Sequence, residues 1–344
     1  MLSFIPAADP RLSYFAPQPV DRSGETVRIS RFPQAAYDAL AGQIGPTANL
    51  RSSAGCALLF ETDSPLVELH LERLRHHQPT PQGVALEVEQ PDGSCLTVSS
   101  TDLRELSGAV QVPLPTGLER GDLRPVRLWL PLISTCEVRG IAVVPGSSVE
   151  PLSPPEPRWL ALGDSLTQGF SVQCPTQNWV HRLSRRWGLP VWNLGVGGLQ
   201  VEPEALDWAL GSHRWELVTI GLGSNHAWRE PDAELAGERA EELVRRVLAG
   251  EPGRVVWLLP GYKPLEEGKG PPDFAGVFLN QAAADRLARI RQQLEERLSR
   301  FPEVEVVGGL APRDARLYPD GLHPSALGFA RYAENLDRAL RGAE

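Results

Sequence analysis

Four short clusters in the second half of the chain hold residue types that suit acyl transfer. In chain order they read Gly163-Asp-Ser165-Leu-Thr-Gln-Gly169, Asn193-Leu-Gly-Val-Gly-Gly198, Gly221-Leu-Gly223-Ser-Asn225-His226 and Asp320-Gly-Leu-His323-Pro324. A serine hydroxyl is a weak nucleophile that needs a neighbouring base, and histidine is the usual base. Ser165 is therefore the candidate nucleophile and His323 the candidate base.

Asp320 is the candidate partner of that base. A catalytic histidine needs an anion that fixes its tautomer and stabilises the imidazolium, and Asp320 lies three residues before His323. Pro324 is a residue type favoured at the first position of a helix, so we expect His323 at a helix N-terminus, where the dipole disfavours a cation. Asp320 would offset that penalty. Without Ser165, the same two residues would indicate only a helix cap and a surface histidine.

The negative charge that develops on a tetrahedral intermediate needs hydrogen-bond donors. We expect these from the backbone N–H groups of Ser165 and Gly198 and from the side-chain amide of Asn225. Gly195 and Gly197 lie beside Gly198 in the sequence, and any of the three glycines could simply form the turn. An Asx turn is the alternative interpretation of Asn225.

Other residues near these clusters are candidates for substrate contact. We predict such contacts for Asp164 and His226, although His226 also fits an ordinary loop residue. Trp228 fits either packing or a sugar-stacking platform, and packing is the favoured interpretation. The Pro- and Gly-rich stretch 261–277 has the length of a lid or a linker.

The second half of the chain alternates between apolar strands and amphipathic helices. Short apolar runs begin near residues 158, 191, 217, 255 and 304, and helical patterns lie between and after them. Apolar strands alternating with helices indicate a parallel sheet that is covered on both faces. In such a sheet, ligands bind outside the carboxyl ends of the strands. Three of the four clusters directly follow predicted strands, and the fourth lies in the loop after the last one.

The first half has a different period. Apolar and polar residues alternate over 67–72, 84–88, 96–98 and 126–130, which is typical of half-buried strands in a β-sandwich. A Pro-rich stretch then interrupts the pattern. We predict a β-sandwich domain at 1–150, with a role in carbohydrate binding or in capping the active site. A linker at 151–157 and a catalytic domain at 158–344 complete the predicted organisation.

Composition excludes several classes of protein. The net charge of −9 gives no attraction to nucleic acid. No run approaches the roughly 20 apolar residues that span a bilayer, and the N-terminus lacks a secretory signal pattern. We therefore expect a soluble cytoplasmic protein without membrane insertion. The four cysteines are scattered without a CxxC pair, so we expect buried thiols and neither a disulfide framework nor a metal site.

The four clusters, in this order, resemble the GDSL family of esterases and lipases, also called SGNH hydrolases. The resemblance rests on Gly163-Asp-Ser165-Leu, Gly198, Gly223-Ser-Asn225 and Asp320-Gly-Leu-His323, and it covers about the C-terminal 190 residues. It implies a three-layer α/β/α, flavodoxin-like fold with about five parallel strands. It also implies ester hydrolysis with no metal or organic cofactor. One position departs from the family pattern: His226 stands where the family often has Asp.

The resemblance also implies a function for the whole chain. Two-domain members with an N-terminal, jelly-roll-like β-sandwich include bacterial carbohydrate esterases. We therefore expect a serine ester hydrolase that forms an acyl-enzyme on Ser165 and removes short acyl groups, such as O-acetyl groups, from a small molecule or an oligosaccharide. A general carboxylesterase or lysophospholipase-like lipase is one alternative. The other is a glycan-binding protein with a vestigial hydrolase domain.

Overall fold

A computed structural model describes residues 1–22, 24–77, 82–103 and 106–342 of the chain. These residues divide into two compact units. The first unit contains Met1–Pro33, Ala48–Glu156 and Gln173–Thr176, and the second contains Gln34–Thr47, Pro157–Val172 and Gln177–Glu344.

The first unit is built from two antiparallel sheets. Its strands are β1 (Ser3–Pro6), β2 (Ser13–Phe15), β3 (Val27–Arg28), β4 (Ala57–Thr62), β5 (Leu66–His76), β6 (Gln82–Glu89), β7 (Cys95–Leu103), β8 (Leu106–Pro115), β9 (Arg124–Trp129), β10 (Ser134–Val143) and β11 (Val149–Pro151). One sheet has the order β1-β10-β5-β8, with β3 also paired to β10. The other has the order β11-β4-β9-β6-β7, with β2 paired to β4.

The two sheets share one apolar core. Val67 and Leu69 from β5 are fully buried in the same cluster as Leu86 from β6 and Leu128 from β9. Two antiparallel sheets that bury one face each against a common core form a β-sandwich. The alternating pattern of the sequence therefore predicted this architecture correctly, because period two directs every second side chain to the same face.

The second unit contains the parallel sheet and its helices. Its strands are β12 (Trp159–Gly163), β13 (Val191–Gly195), β14 (Leu217–Gly221), β15 (Val255–Leu258), β16 (Asp273–Phe274), β17 (Val277–Phe278) and β18 (Val304–Val307). The helices of the chain are α1 (Gln34–Ala39), α2 (Ile44–Leu50), α3 (Ser165–Gln168), α4 (Trp179–Trp187), α5 (Pro203–Leu210), α6 (Glu230–Ala249), α7 (Gln281–Leu298) and α8 (Ala326–Arg341). Strands β16 and β17 form a small antiparallel hairpin apart from the main sheet.

The main sheet has the order β13-β12-β14-β15-β18, and all its pairings are parallel. The chain adds β13 on one side of β12 and then β14, β15 and β18 on the other. Because crossovers between parallel strands are right-handed, this change of side places helices on both faces of the sheet. Helix α4 packs on α8, while α6 contacts both α5 and α7. The predicted α/β fold is confirmed. The change of side also leaves a crevice at the carboxyl ends of β12, β13 and β14, which is where ligands bind in such sheets.

A short N-terminal segment, 34–47, is part of the second unit. Helix α1 in this segment packs against α5. The Gln43 side-chain amide also donates to Glu202 Oε1 at 3.3 Å. This segment therefore lies near the loop that follows β13, although about 150 residues separate the two in the chain.

Candidate active site

Ser165 is the first residue of α3, directly after β12. Asp164 caps this helix, because its Oδ1 accepts the backbone N–H of Leu166 at 2.9 Å. The Ser165 side chain is buried. Within the part of the chain that the structure describes, the Ser165 N–H has no hydrogen-bond acceptor. This is expected of the first N–H groups of a helix, and it leaves a donor beside the hydroxyl.

Three side chains join in one hydrogen-bonded line. His323 Nε2 lies 2.8 Å from Ser165 Oγ, and His323 Nδ1 lies 2.7 Å from Asp320 Oδ2. A carboxylate only accepts hydrogen bonds, so Nδ1 carries the proton and Nε2 is free to accept the serine hydroxyl. The sequence predicted these three residues, and the fold brings them together in the order nucleophile, base and anion.

Asp320 also accepts hydrogen bonds from several other donors. Its Oδ1 accepts the backbone N–H groups of Leu322 and His323 at 2.9 and 2.8 Å. Its Oδ2 accepts the hydroxyl of Ser171 at 2.8 Å. Burial alone would raise the pKa of Asp320, but the hydrogen bonds and the field of His323 outweigh it and hold the pKa well below the ordinary value. Asp320 is therefore an anion at neutral pH.

The expected helix start beside His323 is wrong. Helix α8 begins at Ala326, and its N-cap is Ser325, whose hydroxyl accepts the N–H of Gly328. His323 lies two residues before that cap, so it is not in the first helical turn, where the dipole acts. The turn that Asp320 closes onto the backbone of His323 positions the imidazole instead.

The structure distinguishes among the three glycines after β13. The N–H of Gly195 donates to Asn193 Oδ1 at 2.9 Å, and the N–H of Gly197 donates to Gln168 Oε1 at 2.6 Å. Gly198 is exposed, has a φ of 83°, and its N–H has no acceptor among the described residues. Gly198 is thus the glycine whose N–H remains available to a ligand.

Gly195 has a separate role in packing. A Cβ at this position would lie 2.1 Å from the backbone nitrogen of Gln168. No side chain fits at that distance, so the end of β13 can approach α3 only with glycine there. This contact brings the loop that carries Gly198 next to the helix that begins at Ser165.

Asn225 lies in a short 3-10 helix, Ser224–Trp228, after β14. Its side-chain Nδ2 donates to the Leu199 carbonyl at 2.9 Å, and its Oδ1 accepts the indole N–H of Trp228 at 2.9 Å. A primary amide has two donor hydrogens, so one remains for a ligand. Trp228 also packs on an apolar cluster, in agreement with the favoured packing interpretation.

Two residues predicted to contact substrate are occupied elsewhere. Asp164 is 2% exposed and serves as the cap of α3. His226 is 2% exposed, its Nδ1 donates to the Asp232 carbonyl at 2.8 Å, and its Nε2 accepts the N–H of Val201 at 2.9 Å. Both ring nitrogens of His226 are thus hydrogen-bonded within the protein, and Oδ1 of Asp164 is taken by the helix cap. His226 instead joins the loop after β13 to the loop after β14.

The stretch 261–277 holds two features that the sequence analysis missed. Phe274 in β16 places its ring 5.3 Å from the His323 ring, and the Phe170 ring lies 5.1 Å from the same ring. Lys263 is buried, and its Nζ donates to the carbonyl of Leu322 at 2.9 Å. The sequence carries one signal for this lysine, because Lys263 and Lys269 are the only lysines among 34 basic residues.

The described residues contain no group of three or more His, Cys, Asp or Glu side chains placed to hold a metal ion. None of their helices is long and apolar enough to cross a membrane. The four cysteines, all of which lie in the described ranges, are free thiols. Cys56, Cys136 and Cys174 are buried as predicted, whereas Cys95 is half-buried.

A five-stranded parallel sheet with a Ser-His-Asp line at its switch point places this chain in the class of α/β serine hydrolases. Residues 161–331 match the GDSL-like lipase/acylhydrolase family. The chain therefore belongs to this family through its C-terminal half, and it is a carboxylic ester hydrolase by class. No curated protein sequence matches the chain.

Solved structures share the fold over nearly the whole chain. The salicylyl-acyltransferase SsfX3 from a tetracycline biosynthetic pathway has a TM-score of 0.78 at 20% identity and covers 99% of this chain and 97% of its own. A GDSL-like protein from Bacteroides ovatus gives 0.77 at 18% identity, covering 99% and 98%. The acetyl xylan esterase Est2A from Butyrivibrio proteoclasticus gives 0.63 at 11% identity, covering 99% and 98%. At these identities the likeness establishes the fold alone.

Proposed function

We propose that the chain hydrolyses short-chain carboxylic esters through an acyl-enzyme on Ser165, and that its substrates are O-acetyl groups on a carbohydrate or a similar polar alcohol. The observation that carries the hydrolytic proposal is the unbroken line from Ser165 Oγ through His323 to Asp320, with contacts of 2.8 and 2.7 Å. Such contacts let the hydroxyl lose its proton as it attacks.

The reaction has two halves. Ser165 Oγ attacks the ester carbonyl carbon while His323 Nε2 takes the hydroxyl proton. The tetrahedral intermediate collapses, and His323 gives that proton to the departing alcohol, which leaves an acyl-serine. Water then attacks the acyl group, His323 takes a proton from the water, and the acid leaves as Ser165 regains its hydrogen.

Three donors are proposed for the oxyanion in both halves. They are the N–H groups of Ser165 and Gly198 and the second amide hydrogen of Asn225. Each lies just beyond the carboxyl end of a different strand, β12, β13 or β14, and none of the three hydrogens has an acceptor among the described residues. Preorganised donors of this kind stabilise the transition state without reorganisation during the reaction.

The small acyl group is proposed from the space beside Gly198. A Cβ built there would lie 3.5 Å from Cδ of Pro46, a buried ring. The Pro46 ring therefore limits the space beside Gly198 to about one methyl group, and we propose that this limit selects a small acyl group. The acetyl xylan esterase among the similar structures gives further support for acetate.

The test combines a nucleophile variant with a substrate series. Wild-type enzyme should hydrolyse acetyl esters, and S165A and H323A should each lose several orders of magnitude in kcat. Across acetyl, butyryl and octanoyl esters, kcat/KM should fall, and acetylated sugars should be substrates. A steady rise toward octanoyl would reject the small pocket, because each buried methylene contributes about 0.8 kcal/mol in an apolar site.

A second candidate is acyl transfer to an alcohol other than water. The observation that favours it is the shielding of His323, which is 4% exposed and lies against the rings of Phe170 and Phe274. Limited water access lengthens the life of an acyl-enzyme, and the similar SsfX3 structure is an acyltransferase. Product analysis with added alcohols separates the two functions, since a transferase forms the new ester in preference to free acid.

A further inference from the structure

Lysine is almost absent from this chain. Of its 34 basic residues only Lys263 and Lys269 are lysines, and the rest are arginines. Lys269 is a surface residue whose ammonium pairs with Glu267 at 2.7 Å. Lys263, by contrast, is 2% exposed. A fully buried lysine is rare in proteins and is normally paired. Lys263 therefore has a role other than the contribution to surface charge that an exposed lysine makes.

Lys263 binds the loop that carries the catalytic histidine. Its Nζ donates to the carbonyl of Leu322 at 2.9 Å, and Leu322 directly precedes His323. Its own backbone N–H donates to Glu266 Oε1 at 2.8 Å. The carboxylate of Glu266 pairs in turn with Arg291 at 2.7 Å. The lysine backbone is therefore fixed, and its ammonium supports the loop from inside the protein.

Two carboxylates act on this ammonium. Burial lowers the pKa of Lys263, and the fields of Asp164 and Asp320 oppose that effect. The field of Arg291 lowers the pKa of Lys263 further, and the field of Glu266 raises it. Burial likewise raises the pKa of Asp164, and the Lys263 ammonium opposes this most strongly, followed by the hydrogen bond from the Leu166 N–H and then by His323. The charged groups whose fields act on Lys263 are thus Asp164, Asp320, Glu266 and Arg291.

We propose that Lys263 is a positioning residue for the triad: its ammonium holds the Leu322 carbonyl, directly before the base, and counters the negative charge of Asp164 and Asp320. This inference rests on the proposed function. A neutral base is required, because an imidazolium cannot take the proton of Ser165. Two carboxylates near a histidine stabilise its imidazolium form. If the Lys263 ammonium balances the charge of one of them, the imidazolium is stabilised less. The ammonium of lysine is a compact point charge, whereas the guanidinium of arginine is larger and planar, so the two are not interchangeable here.

The test measures the activation of Ser165 by the base through the rate of covalent labelling, so it does not require turnover of an ester substrate. The rate at which an organophosphonate labels Ser165 depends on how well the base activates the hydroxyl. A plot of this rate against pH should therefore fall on the acid side, where the base is protonated, and we call this fall the acid limb. In K263M we expect this limb to move up by about one pH unit. K269M removes the exposed lysine and should match wild type. Peptide mapping confirms that the label is on Ser165.

Two charge-balanced variants complete the test. D164N keeps a side-chain oxygen for the cap of α3 and removes one negative charge, so its acid limb should move down. D164N/K263M restores the net charge of wild type, so its limb should return close to the wild-type position. These two variants decide the question even if K263M alone does not fold.

The outcomes separate the two proposals. If wild-type Ser165 is not labelled, the proposed function is wrong and this inference with it. If wild type is labelled but the limb stays fixed in D164N and K263M, the hydrolase assignment stands and the role of Lys263 is overturned. A slower rate with an unmoved limb would mean that Lys263 only maintains the structure.

Discussion

The indole N–H of Trp228 donates to Asn225 Oδ1 at 2.9 Å, three residues earlier in the same 3-10 helix. This bond fixes which end of the Asn225 amide is oxygen and which is nitrogen, because only the oxygen can accept. The Nδ2 atom then faces the Leu199 carbonyl and keeps one hydrogen free. A tryptophan on the apolar cluster thus orients a proposed oxyanion donor.

Replacing Trp228 with phenylalanine should lower kcat about fivefold with KM within about twofold, because a lost hydrogen bond of about 1 kcal/mol lets the amide rotate. W187F is the matched control, since the Trp187 indole donates to Asp337 at 2.7 Å between α4 and α8. Steady-state kinetics on an acetyl ester measures both. Equal losses of kcat in the two variants would mean that Trp228 has no particular link to Asn225.

The Asp320→Asn variant should lose about 10³–10⁴-fold in kcat, because an amide at this position no longer demands a proton on Nδ1 and the imidazole takes the wrong tautomer. D314N is the control: Asp314 also accepts a backbone N–H, from Arg316, but on the surface. Circular dichroism should show both variants folded. Activity of D320N within tenfold of wild type would contradict the assigned role.

Asp320 also predicts a pH effect on stability. Its pKa is held below the ordinary carboxyl value in the folded protein, so its contribution is complete above about pH 4 and is lost as pH falls further. In D320N this contribution is absent at every pH. Urea unfolding between pH 2.5 and 6 should therefore show a shallower pH dependence for the variant, and parallel curves would contradict the lowered pKa.

His226 predicts a second pH effect, at higher pH. Burial lowers the pKa of His226 below its ordinary value of 6.5, and protonation of Nε2 would break the bond from the Val201 N–H. Its contribution to stability is therefore present above pH 6.5 and is lost as the pH falls below it. H226A should cost about 1–3 kcal/mol at pH 7.5, where two backbone groups lose their partner. The difference in the free energy of unfolding between H226A and wild type should be smaller at pH 5.5. A difference that does not change with pH would contradict this prediction.

Gly198→Ala should reduce kcat and stability together. The φ of 83° is unfavourable for alanine by about 1–2 kcal/mol, and the new methyl group would lie against Pro46. G211A is the matched control, because Gly211 has a φ of −96° and no heavy atom within 4 Å of an added Cβ. Thermal unfolding and ester kinetics measure both variants. If G198A and G211A behave alike, the Gly198 N–H is not in the site.

The sequence predicted both folds and the three residues of the proposed triad. Period-two alternation produced the sandwich, and apolar strands between amphipathic helices produced the parallel sheet, because these periods are set by local backbone geometry. Elements with a clear period were predicted near their observed bounds, as at α8, which starts at Ala326, whereas α1, α2, β8 and β10 were not predicted. Ser165, Asp320 and His323 were recognisable because their residue types and spacing are tied to one chemistry.

Tertiary structure decided the rest, because each remaining role depends on a partner that is distant in the chain. Sequence could not choose Gly198 over Gly197, since the choice lies in whether Gln168 takes the N–H. It placed His226 near the substrate, whereas Val201 and Asp232 occupy both ring nitrogens. It gave no role to Lys263, whose partner Leu322 is 59 residues away. Hydrogen bonds between loops are settled by packing, and no local pattern encodes them.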